Sequence, residues 1–223
     1  MRRYSLLLLD LDGTLLDTRV DLVRATNHVR SVFGLPPLGV GEVERLVGHG
    51  ARMLVERALG AERTAAHDEG VRQFLEYYGE HCLDETEPYP GMVNLLDALP
   101  PLGVRVAIVT NKPETLTRKI LASLGLLHRM VAVVGGDTFP ERKPHPRGVE
   151  SVLTLCRADR SQALLVGDSP VDAATAQAAG IAFCGVLWGF DPERLRAAAP
   201  GLLAQSAGEL LAIIDGESTC AAR

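Results

Sequence analysis

Aromatic residues and positive charge are both scarce in this sequence. Phe, Trp and Tyr make up only 4% of its 223 residues, which leaves little material for the stacking platforms that hold single-stranded bases. Asp and Glu number 28 against 23 Lys and Arg, so the formal net charge is −5 and the overall field repels polyanions. We therefore expect no nucleic-acid partner, although a metal ion or a helix N-terminus could still bind a small anion.

Cysteine pairs and long apolar runs are also missing. The chain has four cysteines that lie far apart: Cys82, Cys156, Cys184 and Cys220. They form no C-x-x-C motif, which favours free thiols in a reducing compartment. Residues 6–9 imitate the start of a secretory signal, but Asp10 ends this run short of the roughly 7–15 apolar residues that such a signal needs. No run approaches the ~18 apolar residues of a membrane span, so we expect no membrane contact and a cytoplasmic location.

Short apolar runs alternate with helical patterns along most of the chain. The runs lie at residues 4–9, 104–109, 130–134, 163–166 and 182–186. Fully buried parallel strands have this appearance, because helices cover both faces of the sheet and remove the polar alternation. Helical periodicity lies between them, at residues 91–99, 114–124, 146–156, 171–179 and 206–214. The alternation predicts an α/β fold with a doubly wound, Rossmann-like parallel sheet.

Residues 16–87 break this alternation. They contain helical periodicity, as in Val20, Val23 and Val29, but no convincing strand. A stretch of ~70 residues is far longer than an ordinary connection, for which the median is about 4–6 residues. We therefore expect an all-helical domain at residues 16–87, the helical insert, within an α/β core formed by residues 1–15 and 88–223.

Two acids stand directly after the first predicted strand, in the sequence DLDGT at residues 10–14. Ligands of open α/β sheets bind at the carboxyl ends of the strands, so Asp10 and Asp12 are expected to face a cleft. Paired carboxylates can hold a divalent cation, or one can attack an electrophile while the other moves protons. A solvated Asp-Gly turn is the alternative, which the four preceding leucines disfavour.

Groups suited to an anion follow the next two predicted strands. Thr110 and Asn111 precede a helix, where a hydroxyl and free backbone N–H groups suit phosphate, although simple capping is the commoner use of such residues. Lys143 is one of three lysines in the chain, against twenty arginines. A compact ammonium at a loop rim can screen a carboxylate and draw on a phosphoryl oxygen.

Two further acids follow the strand predicted at residues 163–166. Asp168 stands at its carboxyl end, and Asp172 lies four residues later, on the same side of a helix. Together with Asp10 and Asp12 they would repel one another strongly without a cation. Mg²⁺ is the expected cofactor, because it prefers a few carboxylates together with substrate oxygens and water.

These four motifs, in this order, resemble the haloacid dehalogenase superfamily of aspartate-dependent phosphatases, and the resemblance spans nearly the whole chain. It implies that Asp10 is the nucleophile and Asp12 the general acid/base, and that Thr110 and Lys143 stabilise the phosphoryl group. Asn111 is expected to bind phosphate beside Thr110. The helical insert resembles the mobile cap of this superfamily.

The resemblance also implies a metal site. Asp10, Asp12 and Asp168 would hold Mg²⁺, and Asp172 would support the metal or the lysine. We expect the partner to be a small phosphorylated metabolite, with the chain acting as a monomer or a homodimer.

Finer features resemble the phosphoglycolate phosphatases within this superfamily: VGHGA at residues 47–51, YPG at 89–91, TNKP at 110–113, and GGD at 135–137 leading to KPHP at 143–146. This implies hydrolysis of 2-phosphoglycolate through a phosphoaspartyl intermediate. His49, which stands where asparagine is common, is a candidate contact for the substrate carboxylate, together with Gly48, Gly50 and Arg52. A flexible connection between two helices explains the Gly-His-Gly sequence equally well.

Other functions use parts of the same pattern. A sugar-phosphate phosphatase or a β-phosphoglucomutase-like phosphotransferase would use the same Asp10 and Asp12, and a binding module could keep the fold without catalysis. Dehalogenases usually lack the acid at Asp12. A phosphonate hydrolase of this kind uses a cap lysine, and no lysine precedes Lys112 in this chain.

Overall fold

The computed structural model describes residues 4–198 and 201–216. Residues 1–3 and Cys220, one of the four cysteines expected to be free thiols, lie outside this part of the chain. The other three cysteines are buried free thiols. Within the described ranges, no helix is both long and apolar enough to cross a bilayer.

The chain forms one strand of the main sheet, then a helical segment, and then the rest of the sheet. The first elements are β1 (Leu6–Leu9), β2 (Leu16–Asp17), α1 (Arg19–Val32), α2 (Val40–Glu44), α3 (Ala51–Leu59), α4 (His67–His81) and β3 (Glu87–Pro88). The remaining elements are α5 (Met92–Ala98), β4 (Arg105–Val109), α6 (Glu114–Ser123), β5 (Met130–Val134), α7 (Arg147–Cys156), β6 (Ala163–Gly167), α8 (Pro170–Ala179), β7 (Ala182–Val186), α9 (Pro192–Ala198), β8 (Leu202–Ala204) and α10 (Ala207–Asp215).

Six parallel strands form the main sheet, in the order β5-β4-β1-β6-β7-β8. The first strand of the chain is therefore central: Leu9 of β1 lies opposite Ile108 of β4 on one side and Val166 of β6 on the other. Helices connect the parallel strands, as parallel pairing requires. The predicted α/β fold with a Rossmann-like sheet is confirmed.

The leucines of β1 explain why its sequence shows no polar alternation. All four are 0% exposed. Leu7 and Leu9 pack in one layer of the core, and Leu6 and Leu8 pack in the layer on the other face of the sheet. Both faces are covered, so both sets of side chains must be apolar.

Four elements were not predicted. Strands β2 and β3 have two residues each, and β2 lies within residues 16–87, so the insert that was expected to be all-helical also contains a strand. The other two elements lie near the end of the chain. Strand β8 has only three residues, too few to show a period. Helix α9 has one buried side chain, Leu195, so it carries no amphipathic stripe. The other helices and strands of the core agree with the predicted ones to within about two residues, which is the usual uncertainty of element ends.

The helical insert leaves and rejoins the core at adjacent points. Strands β2 and β3 pair antiparallel, with Leu16 opposite Pro88 and Asp17 opposite Glu87. Between them, α4 packs against α1 and α3, and α1 also contacts α2. The insert stands next to the carboxyl end of β1, because β2 begins six residues after Asp10.

Candidate active site

The residues predicted to act together follow three neighbouring strands. Asp10, Thr110 and Asp168 are the first residues after β1, β4 and β6. The backbone N–H of Asp10 donates to the carbonyl of Val166 at 3.0 Å, and that of Thr110 donates to the carbonyl of Val134 at 3.0 Å. The sheet hydrogen bonds thus continue one residue past the strands and fix the backbone from which these side chains project.

A tight turn after Asp10 allows Asp168 to approach. The backbone N–H groups of Leu15 and Leu16 both donate to the carbonyl of Leu11 at 3.0 Å. Gly13 has a φ of +78°, and a Cβ placed on it would lie 2.1 Å from Oδ2 of Asp168. Any side chain at residue 13 would therefore displace Asp168 and strain the turn.

The carboxyl group of Asp168 is almost entirely buried. Its Oδ2 accepts the backbone N–H of Phe190 at 2.9 Å, and its Oδ1 accepts the hydroxyl of Thr14 at 3.5 Å. Burial raises the pKa of Asp168 well above its ordinary value, and the charges of Asp172 and Asp10 raise this pKa further. Ionised Asp168 is thus costly unless a cation is close.

Lys143 connects two of these acids. Its Nζ lies 2.9 Å from Oδ1 of Asp10 and donates to Oδ1 of Asp172 at 2.6 Å. Asp172 is 0% exposed and also accepts the backbone N–H of Ser169 at 3.2 Å. Burial alone lowers the pKa of Lys143, but the two carboxylates outweigh burial and raise this pKa, so the ammonium keeps its charge.

Asp10, Asp168 and Asp172 form a cluster that fits a divalent cation. Each offers an oxygen atom, and these atoms lie within 4.8 Å of one another. Burial raises the pKa of Asp10 to about 6, against the opposing effect of Lys143. Lys143 contacts Asp10 and Asp172, whereas no lysine or arginine among the described residues pairs with Asp168. Buried carboxylate oxygens with too little positive charge are suitable ligands for Mg²⁺.

Asp12 lies outside this cluster and beside a different cation. Lys112 donates from Nζ to Oδ1 of Asp12 at 2.6 Å and to the hydroxyl of Tyr78, in α4 of the insert, at 2.7 Å. Lys112 is 6% exposed. No role was predicted for Lys112, although it is, like Lys143, one of only three lysines in the chain.

The side chains of Thr110 and Asn111 do not cap α6. The hydroxyl of Thr110 accepts the backbone N–H of Lys112 at 3.3 Å. Asn111 donates from Nδ2 to the carbonyl of Gly48 at 2.9 Å and to that of Lys143 at 3.0 Å. The first N–H of α6, at Glu114, donates instead to Asp137 at 2.7 Å. Among the residues described, no acceptor is bonded to the backbone N–H of Asn111. This N–H is thus available for an anion.

Only part of the predicted insert loop faces the cleft. Gly48 and Gly50 line the cavity that contains Asp10, Asp12 and Asp168, whereas His49 and Arg52 do not line it. Arg52 pairs with Glu56 at 3.2 Å and with Asp68 at 2.5 Å on the surface of the insert. Burial lowers the pKa of His49, and the charges of Arg57 and Arg194 lower it further.

Two arginines at the mouth of the cavity were not singled out from the sequence. Arg45 follows α2, and Arg194 lies in α9 of the core. Both are exposed, and neither guanidinium pairs with an acid within the described ranges. The cavity is thus lined by the buried acids, by one buried lysine and by two exposed arginines, with Glu44 and Asp191 beside the arginines.

The sequence matches the model of one known protein family. The model of the haloacid dehalogenase-like hydrolases matches residues 7–186. This span contains the acids after β1, the polar residues after β4, Lys143 and the acids after β6.

Similar proteins cover nearly the whole chain. A phosphoglycolate phosphatase of Mesorhizobium japonicum is 36% identical over 195 residues, which cover 86% of this chain and 86% of the relative. Phosphoglycolate phosphatase 1 of Pseudomonas aeruginosa is 37% identical, in an alignment that covers 96% of this chain and 81% of the relative. The crystal structure of a predicted phosphoglycolate phosphatase from Haemophilus somnus superposes with a TM-score of 0.89 at 31% identity, covering 96% of this chain and 99% of that one.

Proposed function

This chain belongs to the haloacid dehalogenase-like hydrolases and is a phosphatase, and we propose that it hydrolyses 2-phosphoglycolate to glycolate and phosphate with Mg²⁺. The observation that carries the proposal is the pair of acids after β1, each held by its own lysine. Asp10 lies 2.9 Å from Lys143, and Asp12 lies 2.6 Å from Lys112. The phosphoglycolate phosphatases among its relatives support the choice of substrate.

Asp10 attacks phosphorus in line and forms a phosphoaspartyl intermediate. Its backbone is fixed by the bond to Val166, and its carboxylate is steered by Lys143. Burial alone would favour the neutral acid, which is a poor nucleophile, so Lys143 keeps the carboxylate ionised as well as oriented. Asp172 in turn fixes Lys143 from the opposite side.

Asp12 donates a proton to the leaving alkoxide and then takes a proton from the water that hydrolyses the intermediate. It is suited to these steps because it is separate from the cluster formed by Asp10, Asp168 and Asp172. Its side chain is 13% exposed, against 9% for Asp10, and it lines the cavity. The same carboxylate can therefore reach the leaving group and later the water that replaces it.

The transferring phosphoryl group needs positive charge and donors around its oxygens. Thr110, Lys143 and the backbone N–H of Asn111 supply them from the loops after β4 and β5. Asp10 and Asp168 would hold Mg²⁺, and the metal would neutralise charge on the phosphate. The described residues fit this role because the positive charge of Lys143 does not balance the three buried acids. Asp12, which was also predicted as a ligand, lies outside the cluster, whereas Asp172, predicted as a support, belongs to it.

The helical insert, residues 16–87, would act as a cap on the core formed by residues 1–15 and 88–223. Gly48, Gly50 and Tyr78 of the insert line the same cavity as the catalytic acids. A Cβ on Gly50 would lie 3.0 Å from the carbonyl oxygen of Asn111, so the insert loop lies directly over the phosphate-binding loop. Such a cover excludes bulk water and selects the leaving group.

A substrate panel tests the proposed function. We expect kcat/KM for 2-phosphoglycolate to exceed that for hexose phosphates and nucleotides by at least about tenfold, or ~1.4 kcal/mol of transition-state binding. A flat profile would indicate a general phosphatase. A sugar phosphate at the top would indicate a sugar-phosphate phosphatase, and phosphorylated product formed with a bisphosphate activator would indicate a phosphotransferase.

A further inference from the structure

Lys112 combines burial, charge and a position beside Asp12. It lines the cavity, is 6% exposed, and donates to Asp12 at 2.6 Å and to Tyr78 at 2.7 Å. The chain has only three lysines, so a buried one is not part of a generally lysine-rich surface. A buried ammonium is costly unless its charge and its donors are used.

The ammonium of Lys112 has two hydrogen-bond acceptors and also lies 4.5 Å from the centroid of the Tyr78 ring. An ammonium group has three N–H donors. The structure gives two of them acceptors, Asp12 and Tyr78, and no third acceptor among the described residues is bonded to Nζ. Because Lys112 lines the cavity, a substrate oxygen can approach this donor.

The position of Asp12 indicates which part of the substrate would contact the free donor of Lys112. A general acid must lie within hydrogen-bond distance of the oxygen that it protonates, here the ester oxygen of the leaving group. Nζ of Lys112 is hydrogen-bonded to Oδ1 of Asp12 at 2.6 Å, so it lies close to the same leaving group. In a leaving group such as glycolate, the carboxylate carbon is two covalent bonds from the ester oxygen, so its oxygens fall within reach of Nζ.

We propose that Lys112 is a specificity-determining residue that binds the carboxylate of the leaving group, and so selects phosphomonoesters with a carboxylate next to the ester carbon. This inference rests on the proposed function, and in particular on Asp12 acting at the leaving group. Arg45 and Arg194 are weaker candidates for the same contact, because both are exposed and solvated at the cavity mouth. A charge-assisted hydrogen bond from a buried donor is stronger.

Tyr78 makes this selection depend on the helical insert. Its hydroxyl, in α4, orients Lys112 from the side opposite the core. Tyr78 is 1% exposed and its ring stacks on Phe74 at 5.5 Å between centroids, so the hydroxyl has little freedom to move. The core thus supplies the ammonium and the insert fixes its direction.

The test compares 2-phosphoglycolate with its neutral amide, 2-phosphoglycolamide, in the Mg²⁺-loaded enzyme. In the wild type we expect kcat/KM to favour the acid by about tenfold or more. Lys112→Gln should bring this ratio to within about twofold of one, because it removes the charge but keeps a donor. Lys112→Arg should restore most of the preference.

Lys119→Gln is the matched control. Lys119 is exposed and donates to the carbonyl of Gly79, the residue after Tyr78 in the same helix, at 2.5 Å. This variant should keep the wild-type ratio. Tyr78→Phe keeps the ring and removes only the hydroxyl that orients Lys112, so it should lower the ratio by about threefold or more even if Lys112→Gln fails to fold.

Three results would overturn the proposal: an unchanged ratio in Lys112→Gln or Tyr78→Phe, an equal loss for both substrates in Lys112→Gln, or loss of the preference in Arg45→Gln instead. An equal loss would mean that Lys112 only supports Asp12. Failure of the proposed function gives a different result, because the wild type itself would then show no preference for 2-phosphoglycolate over sugar phosphates.

Discussion

Asp10 and Asp12 are two residues apart, but their surroundings suit them to different chemical tasks. Asp10 is buried among Asp168, Asp172 and Lys143, and burial raises its pKa to about 6. Asp12 is outside that cluster, and Lys112 is its one ion-pair partner within the described ranges. A carboxylate held among buried charges suits attack on phosphorus, and one at the cavity wall suits proton transfer.

Substituting Asp12 should separate the two steps of the reaction by leaving group. With an alkyl ester such as 2-phosphoglycolate, Asp12→Ala should slow phosphoryl transfer by ~10²–10⁴, the usual loss when a general acid is removed. An aryl phosphate leaves without a proton, so Asp10 is still phosphorylated, but its hydrolysis lacks a base. Rapid-quench measurements should then show a burst of phenolate and accumulation of phosphoenzyme.

Asp10→Asn is the control for this experiment, because an amide cannot replace the attacking carboxylate. It should give neither a burst nor a phosphoenzyme with any ester. Full steady turnover of an aryl phosphate by Asp12→Ala, without trapped phosphoaspartate, would show that Asp12 is not the acid/base.

Several site residues could be predicted because each follows a buried strand. Parallel strands end at a common edge, so Asp10, Thr110 and Asp168 had to lie near one another once β1, β4 and β6 were recognised. The predicted superfamily is confirmed by the family match. Lys112 and Tyr78 could not be paired in advance, because they belong to different elements and their contact depends on how the insert packs on the core.

At the scale of elements, the side chain of Asn111 makes one of several contacts between the insert and the core. Asn111 joins the carbonyl of Gly48, in the loop before α3, to the carbonyl of Lys143, in the loop after β5. It therefore ties two loops from opposite sides of the cavity. The role of this amide could not be predicted, since an asparagine in a loop has many possible partners.

Asn111→Ala should loosen this tie without removing the backbone N–H proposed to bind phosphate. We expect the free energy of unfolding to fall by about 2 kcal/mol, because the buried carbonyl of Lys143 and the partly buried carbonyl of Gly48 lose their donor. KM for the substrate should rise severalfold, while inhibition by inorganic phosphate should stay unchanged. Chemical denaturation and steady-state kinetics measure these effects.

Asn27→Ala provides a comparison for this prediction. The side chain of Asn27 also makes two hydrogen bonds to loop backbone, to the carbonyl of Leu38 at 3.0 Å and from its N–H at 2.8 Å, but within the insert. It should cost similar stability and leave KM unchanged. If the two variants have the same KM, the Asn111 tie does not position the insert for substrate binding.

For the whole molecule, the buried acids that suit metal binding lower the stability of the metal-free fold. Asp10, Asp168 and Asp172 repel one another without a metal, and Lys143 offsets only part of that repulsion. Mg²⁺ that binds only the native state should stabilise it by mass action. The metal-free fold is therefore less stable than it would be without these acids, which the proposed metal site needs.

Metal removal should affect turnover and thermal stability together. Excess chelator should abolish hydrolysis and lower Tm, and Mg²⁺ should restore both, whereas Ca²⁺ should inhibit because its looser shell misplaces the reacting groups. In chelator, Asp168→Asn should raise the free energy of unfolding by on the order of 1 kcal/mol, and so raise Tm. The reason is that the amide needs neither a buried charge nor the uptake of a proton to neutralise it. The same variant should show no rise in Tm when Mg²⁺ is added. Turnover by the wild type that persists in excess chelator would show that hydrolysis does not need Mg²⁺.

The central place of β1 in the sheet has a consequence for biosynthesis. Leu6 pairs with Arg105 on one side and with Ala163 on the other. A ribosome adding roughly 5–20 residues per second therefore releases this strand many seconds before its second neighbour exists. Throughout that interval four consecutive leucines and an unpaired strand edge are open to other nascent chains. The strand that positions Asp10 is thus also a segment of the growing polypeptide that a chaperone would have to protect.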